Sequence, residues 1–339
     1  MPQMRSLTWQ VSPFRIGAGF SFTRCYNRHE RFANEGVNQL KKITVHQDLQ
    51  FSAIIHGLWR LAEWKLSAAE LLRLIEECLD LGITTFDHAD IYGRYTCEGL
   101  FGDALALKPS LRQQMQLVTK CGIKLMTPDR PEQKLPFYDT SKVHIVGSVE
   151  RSLQNLRTDY IDLLLIHRPD PLMNPEEVAE AFTQLRDQGK VRQFGVSNFT
   201  TSQFDMLQSY LDMPLVTNQI EISVLHLDNM QNGTLDHCQM KRIAPMGWSP
   251  LGGGRMFTSE DERAVRLRQK LTEIAAETGA TSIDQIMYAW LLMHPARIMP
   301  IVGSGKLERI KTAVDSLDVA ITRQHWFEIL KASLGKDVD

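Results

Sequence analysis

Three apolar runs each end in a chemically demanding side chain, and this repeated pattern constrains the fold more than any other feature of the sequence. Thr84-Thr85-Phe86-Asp87-His88-Ala89-Asp90-Ile91-Tyr92-Gly93 passes from a β-branched segment into a loop rich in titratable groups. Met115-Gln116-Leu117-Val118-Thr119-Lys120 closes on a lysine, and Tyr160-Ile161-Asp162-Leu163-Leu164-Leu165-Ile166 leads directly into His167. Strands that alternate with helices and deliver polar residues at their C-terminal ends converge on one face of an eightfold β/α barrel. The pattern predicts an α/β fold, a single-domain (β/α)8 TIM barrel, with the three strand ends sharing one mouth. Within that mouth Asp87 and Tyr92 lead forward to Lys120. A phenol has an ordinary pKa of about 10, so its use as a proton donor near neutral pH calls for a neighbouring charge that stabilises the phenolate.

Composition sets the bounds. The 339 residues, 43% hydrophobic and 23% charged, suffice for one barrel with a large core. A formal net charge of -2 supplies no electrostatic footprint for nucleic acid or an anionic membrane, and no apolar run is long enough to span a bilayer. The expected partner is a small molecule, with no nucleic acid and no membrane, and the expected assembly is a monomer or weak homo-oligomer. Cys25, Cys78, Cys97, Cys121 and Cys238 are odd in number and widely spaced, without a CxxC or zinc pattern, so no disulfide framework and no metal is expected. That usage suits a cytoplasmic protein. Cys97 and Cys121 fall near the mouth and could be reactive, although a cysteine is more often an ordinary small hydrophobe.

Residues 1–40 carry scattered aromatic and arginine residues without a sustained period, and read as an extension outside a barrel at 41–335. A clean apolar targeting core is missing, so an over-long predicted start is as good an account as a targeting segment. The first barrel strand is expected over Ser52 to Trp59, followed by a helix after Ser67, whose spacing to Glu70 is that of a capping box. Gly82 should end that helix, with a second strand from Ile83 to Asp87 and a helix from Cys97 to Leu107. The proline-bearing stretch from Leu125 to Thr140 reads as a surface loop on the active face. Further helices are expected over Ser141 to Leu156, Pro175 to Gln188, Thr201 to Tyr210, Val265 to Thr278 and Ser282 to His294. The later strands fall at Val191 to Val196, Leu215 to Gln219, Arg242 to Trp248 and Arg297 to Val302. The seventh strand runs into a flexible glycine loop ending in Arg255, and the eighth into Gly303-Ser304-Gly305-Lys306 and a helix carrying Arg309.

These motifs resemble the aldo-keto reductase superfamily from about Ile43 to Leu334. The resemblance rests on Phe86-Asp87-His88-Ala89-Asp90-Ile91-Tyr92-Gly93, Thr119-Lys120, the run ending in His167, Gly195-Val196-Ser197-Asn198-Phe199, Asn218-Gln219-Ile220-Glu221 and Trp248-Ser249-Pro250-Leu251. Gly57-Leu58-Trp59-Arg60-Leu61-Ala62-Glu63-Trp64, His167-Arg168-Pro169-Asp170-Pro171 and Gly303-Ser304-Gly305-Lys306 look most like its bacterial YdhF-type oxidoreductase branch. The resemblance implies a catalytic tetrad of Asp87, Tyr92, Lys120 and His167 and the reduction of aldehyde or ketone carbonyls by hydride from NADP(H). Tyr92 would be the general acid, its pKa lowered by Lys120, with Asp87 holding Lys120 and His167 orienting the carbonyl. Taken singly, the same residues could be an ordinary ion pair, a packed tyrosine and a strand-capping histidine.

No GxGxxG motif follows a strand, so a Rossmann unit does not hold the dinucleotide. The resemblance implies that Gly57, Leu58, Trp59 and Asp87 border the cofactor, while Ser197, Asn198 and Gln219 meet the nicotinamide carboxamide and Trp248 stacks on its ring. Ser249, Pro250, Leu251, Gly252 and Arg255 would lie along the pyrophosphate, unless the glycine run is a plain solvated linker. Gly303, Ser304, Gly305, Lys306 and Arg309 would meet the adenosine 2′-phosphate. Thr312 and Ala313 stand where many relatives carry a Glu-Asn pair near adenine. Trp59, Tyr92, Tyr95, His167 and Arg168 would line the substrate pocket. Arg168, where many relatives have tryptophan, would favour a polar or anionic carbonyl or else pair with Asp170 or Asp90. Two other functions are compatible with such a barrel: a nicotinamide-binding regulatory subunit similar to potassium-channel β subunits, and a sugar-phosphate lyase or isomerase with Lys120 as a Schiff-base amine.

Overall fold

Eight parallel strands close into a barrel. The computed structural model describes residues 40–128 and 133–337, so the expected extension at 1–39, with Cys25, lies outside the described residues. A two-stranded antiparallel hairpin comes first, β1 (Lys42–His46) paired with β2 (Leu49–Ser52). The barrel strands β3 (Ile55–Gly57), β4 (Thr85–Asp87) and β5 (Gln116–Cys121) follow in space as in sequence. A second small hairpin, β6 (Ile123–Lys124) with β7 (Phe137–Tyr138), interrupts the series. The barrel resumes with β8 (Ile161–Ile166), β9 (Val191–Ser197), β10 (Leu215–Glu221), β11 (Met246–Trp248) and β12 (Met299–Val302), and β12 closes on β3. Helices connect successive barrel strands, which gives the predicted (β/α)8 architecture.

The barrel interior is apolar, filled by Ile55, Val118, Leu163, Leu165, Val216, Met246, Met299 and Ile301. Ile43, Val45, Leu49 and Phe51 of the first hairpin belong to the same cluster and plug the end opposite the mouth. Leu164 and Ile166, on the other face of β8, pack instead among the helices with Phe182 and Phe194. Burial on both faces explains why Leu163–Ile166 of this strand reads as a continuous apolar run.

Local signals account for many boundaries. Ser67 Oγ accepts from the Glu70 amide while Glu70 Oε2 accepts from the Ser67 amide, so the helix Ala68–Asp80 starts on a true capping box. Gly82 follows its end at φ +82, and a Cβ there would lie 2.6 Å from Leu40 Cβ. Four expectations are corrected. The first barrel strand does not begin at Ser52, because residues 49–52 pair backwards onto β1 in a one-sided hairpin. The seventh strand begins at Met246, because Arg242 adopts φ +58 to cap the helix Thr234–Lys241. The stretch from Leu125 to Thr140 is not all loop, since Phe137 and Tyr138 pair with Lys124 and Ile123. The glycine run is not all loop, since a turn at Gly252–Gly254, with φ of +61, +66 and +91, leads into the short helix Arg255–Thr258.

Candidate active site

The C-terminal ends of the strands bring Asp87, Tyr92, Lys120 and His167 together. Asp87 ends β4, and its carbonyl accepts from the Leu58 amide at 2.9 Å. Lys120 stands one residue before the end of β5, and His167 follows β8 with its amide on the Cys121 carbonyl at 2.9 Å. Tyr92 reaches inward from the turn after β4, whose next three residues, Gly93, Arg94 and Tyr95, have φ of +58, +56 and +72. Left-handed backbone at two non-glycine residues in succession is costly, and such strain gathers at functional sites. The Tyr95 hydroxyl accepts from the Leu125 amide at 2.9 Å, which ties this turn to the loop across the mouth.

The Lys120 ammonium is the centre of the cluster and is fully buried. It donates to Asp87 Oδ1 at 2.9 Å and Oδ2 at 2.8 Å, to the His88 carbonyl at 2.6 Å and to Tyr92 Oη at 3.0 Å. Three protons serve four acceptors, so one must be shared. Because Tyr92 Oη accepts here, its own proton remains free for another partner. The Tyr92 and His167 rings meet edge to face, with centroids 5.8 Å apart.

Burial dominates the electrostatics. It works against the Lys120 ammonium, but Asp87 and Tyr92 outweigh it and hold this group above the ordinary lysine value. It also raises the Tyr92 phenol, and Lys120 opposes that rise without cancelling it. The expected lowering by Lys120 is present, but burial outweighs it, so the net shift is upward and Tyr92 keeps its proton at neutral pH. Burial, with Lys120 and Arg168 nearby, pulls His167 well below the usual histidine range, so its ring is neutral. Its Nδ1 is buried without a hydrogen-bond partner among the described residues.

A hydrogen-bonded row continues from this cluster around the mouth. Gln219 Nε2 donates to Asp87 Oδ1 at 2.8 Å, Ser197 Oγ to the Gln219 carbonyl at 3.1 Å, and Asn198 Nδ2 to Ser197 Oγ at 2.8 Å. Trp248 Nε1 completes it by donating to Asn198 Oδ1 at 2.9 Å. Asn198 and Ser249 hold φ of +61 and +52, so strain recurs at the ends of β9 and β11.

Arg168 lies over Trp248, with its guanidinium carbon 5.6 Å from the ring centroid. It forms no ion pair among the described residues, so the expected partnership with Asp170 or Asp90 is not observed. Asp170 instead accepts from Thr140 Oγ1 and the Leu172 amide at 2.9 and 2.8 Å. Trp59 stands out at the rim with 61% of its surface exposed. Cys97 and Cys121 are buried, and burial raises both thiols, which disfavours the reactive thiolate.

The remaining candidates fit a dinucleotide on three observations. A Cβ built at Gly253 or Gly254 meets nothing within 4 Å, and at Gly303 only the Gly57 carbonyl at 3.9 Å, so backbone there is open to close approach. Arg255, Lys306 and Arg309 are exposed and form no ion pair among the described residues. Lys306 is the N-cap of the helix Leu307–Asp315, whose unsatisfied amides and dipole favour an anion. Gly57 sits tightly beside this region, where a Cβ would come within 2.6 Å of Ile301 Cγ2. Pro250 is buried and Ser249, Leu251 and Gly252 are half-buried, whereas Leu58 is wholly buried. Thr312 returns its hydroxyl to the Glu308 carbonyl at 2.9 Å and Ala313 is buried, so neither is poised as a Glu-Asn pair would be.

Sequence reasoning missed three features of the site. His56 lies buried under the Gly303–Lys306 loop, where no local pattern distinguishes it from the strand's apolar residues. Asp90 and Glu98 are buried carboxyl groups behind Lys120. Burial and Glu98 push Asp90 up to about 8, and burial also raises Glu98, whose Oε1 accepts from Thr119 Oγ1 at 2.6 Å. Among the described residues no helix is long and apolar enough to cross a membrane.

The family model described as "Aldo/keto reductase family" matches residues 53–333. The uncharacterized oxidoreductase YcsN of Bacillus subtilis is 60% identical over 88% of this chain and 100% of its own length. The oxidoreductase YdhF of Escherichia coli is 52% identical over 88% of this chain and 99% of its own. A 6-dehydroglucose reductase of Agrobacterium fabrum is 44% identical over 88% of this chain and 100% of its own. Agreement across so much of the chain means that it belongs to the aldo/keto reductase family, as an oxidoreductase of carbonyl or alcohol groups that uses a nicotinamide cofactor.

Proposed function

We propose that the chain reduces aldehyde or ketone carbonyls to alcohols with NADPH, using Tyr92 as the general acid. The observation that carries this reading is the Tyr92 hydroxyl, which accepts from the buried Lys120 ammonium at 3.0 Å and so keeps its own proton to donate. Hydride delivery to the carbonyl carbon is the chemistry the cofactor supplies when bound. As charge grows on the carbonyl oxygen, Tyr92 gives it a proton, and the phenolate left behind is stabilised at once by Lys120. Asp87 holds Lys120 through both carboxylate oxygens, and neutral His167 offers a ring nitrogen to orient the carbonyl.

Ser197, Asn198 and Gln219 would hold the carboxamide edge, and Trp248 the nicotinamide ring. Gln219 also touches Asp87, so carboxamide recognition and the acid share one hydrogen-bonded row. The turn from Ser249 to Arg255 would take the pyrophosphate, and Ser304, Lys306 and Arg309 the 2′-phosphate that favours NADP(H). The barrel at 41–335 is the functional unit, and residues 1–40 are dispensable for nucleotide binding. The protein acts in the cytoplasm on a small molecule, as a monomer or weak homo-oligomer.

Arg168, Tyr95 and Trp59 border the substrate. A guanidinium with no ion pair among the described residues, beside an aromatic rim, favours an oxygen-rich carbonyl compound, and a sugar aldehyde of the kind named for the Agrobacterium relative fits this chemistry. A lyase reading finds no support, because a Schiff-base lysine must be neutral and reachable, whereas Lys120 is buried and held charged. Mixing the protein with NADPH and a panel of sugar, aliphatic and aromatic aldehydes, while following nicotinamide absorbance, tests the reading. Turnover fastest on the sugar aldehydes is expected. Binding of NADPH without turnover of any aldehyde would favour a regulatory subunit instead.

A further inference from the structure

His56 touches none of the reacting groups, yet it is joined to the loop read above as the phosphate site. It lies on β3 opposite Val302 of β12 and reaches two residues further along that neighbour. There its Nε2 stands 2.9 Å from the Ser304 carbonyl. A carbonyl only accepts, so Nε2 must carry the proton and Nδ1 must be bare. Nδ1 faces Cys78 Sγ at 3.6 Å, and a bare nitrogen is the acceptor a thiol needs. Burial pulls His56 down to about 4 and pushes Cys78 up to about 12, so both partners keep these protonation states at neutral pH.

The ring is fixed on its faces as well. It stacks on Trp64 at 5.7 Å with planes 12° apart, and meets the edge of Phe86 at 5.9 Å. Trp64 in turn forms the floor under Gly305, where a Cβ would lie 2.6 Å from Trp64 Cδ2. The Gly303–Lys306 loop is thus held from below at two consecutive residues, by a hydrogen bond at Ser304 and by an indole face at Gly305. Its upper side carries Lys306, whose amide donates to Ser304 Oγ at 3.2 Å.

We propose that His56 is a positioning residue for nucleotide binding, which sets the Gly303–Lys306 loop for the 2′-phosphate through the Ser304 carbonyl and the Trp64 face. The proposal rests on reading Gly303 to Arg309 as that phosphate site. Without the His56 bond the Ser304 peptide is free to rotate, and the loop's amides and Lys306 lose their common orientation. The effect falls on binding and not on the chemical step, since Lys120 lies on β5 and Tyr92 in the turn after β4, away from this loop.

The test compares the dissociation constants of NADPH, NADH and 2′,5′-ADP, measured calorimetrically, for the unaltered protein and for His56→Phe, His56→Gln and Arg309→Ala. His56→Phe keeps a ring on Trp64 but removes the donor, and should weaken NADPH and 2′,5′-ADP about tenfold, the equivalent of one lost hydrogen bond. NADH should change less, and kcat at saturating NADPH should stay within about twofold. His56→Gln, whose amide nitrogen can reach the Ser304 carbonyl, should restore most of the affinity. If His56→Phe does not fold, His56→Asn, whose amide stops short of Ser304, replaces it with the same expected loss. Unchanged affinities in the His56 variants alongside a loss in Arg309→Ala would overturn the role of His56 and leave the phosphate site standing. No loss in Arg309→Ala would overturn the phosphate site, and the role of His56 with it.

Discussion

Lys120 Nζ and Tyr92 Oη stand 3.0 Å apart with the lysine as donor, while both Asp87 oxygens hold the same ammonium at 2.8 and 2.9 Å. The lysine neutralises a buried carboxylate and, on the proposed reading, also stands ready for a phenolate. Lys120→Met should abolish measurable turnover and also destabilise the fold, because it leaves Asp87 buried beside Gln219 with no counter-charge. Losing one partner of a buried pair costs about 3 to 5 kcal/mol, which urea denaturation would measure directly. A variant with native stability would mean that Asp87 is solvated or protonated without Lys120.

Arg309→Ala should weaken NADPH by about tenfold or more while leaving NADH nearly unchanged, since a charge-assisted phosphate contact contributes roughly 1.5 to 3 kcal/mol. The loss should shrink as salt is raised, because Arg309 is exposed and its field is screened. Quenching of tryptophan fluorescence by each nucleotide provides the measurement.

Arg168→Met should lower kcat/KM for sugar aldehydes by about tenfold and leave small apolar aldehydes nearly untouched, as expected for one lost polar contact. The change should fall mainly on KM, because Arg168 stacks on Trp248 and is not bonded to Tyr92 or Lys120. Equal losses on both substrate types would assign Arg168 to packing alone.

Much of this mouth could be read in the sequence because barrel chemistry sits at strand ends, and Asp87, Lys120 and His167 each close an apolar run. The capping box at Ser67 and the stop at Gly82 were legible for the same reason, as both are local. The hairpin over 42–52 was not, because its alternating residues merge with the apolar start of β3. His56 was hidden because its partner Ser304 lies 248 residues away. The net balance at Tyr92 was not legible because a sequence names Lys120 as a neighbour but does not weigh it against burial. Arg168 was expected to pair with a nearby aspartate, but Thr140 and the Leu172 amide already occupy Asp170.

Asp90 offers a test by pH. Burial, with Glu98 nearby, raises its folded pKa to about 8, against the pull of Ser148 and Arg151. The folded chain then holds this proton more tightly than the unfolded chain, so its contribution is full below the ordinary carboxyl range and is lost as pH rises towards about 8. The slope for one such group is about 1.4 kcal/mol per pH unit. Asp90→Asn removes the titration, so between about pH 5 and about pH 8 the stability difference should shift in the variant's favour by roughly 4 kcal/mol. A constant difference at both values would place Asp90 in contact with water or a counter-charge.

The proposed general acid is tested by turnover of Tyr92→Phe with NADPH and an aldehyde substrate, alongside its NADPH affinity. Removing the hydroxyl leaves the ring against His167 and the Lys120–Asp87 pair in place. Reduction should fall by about 10²- to 10⁴-fold or more, with NADPH affinity nearly unchanged, because the hydroxyl is proposed to serve the substrate oxygen and not the nucleotide. Near-native turnover in Tyr92→Phe would assign the proton to His167 or to water and contradict this account.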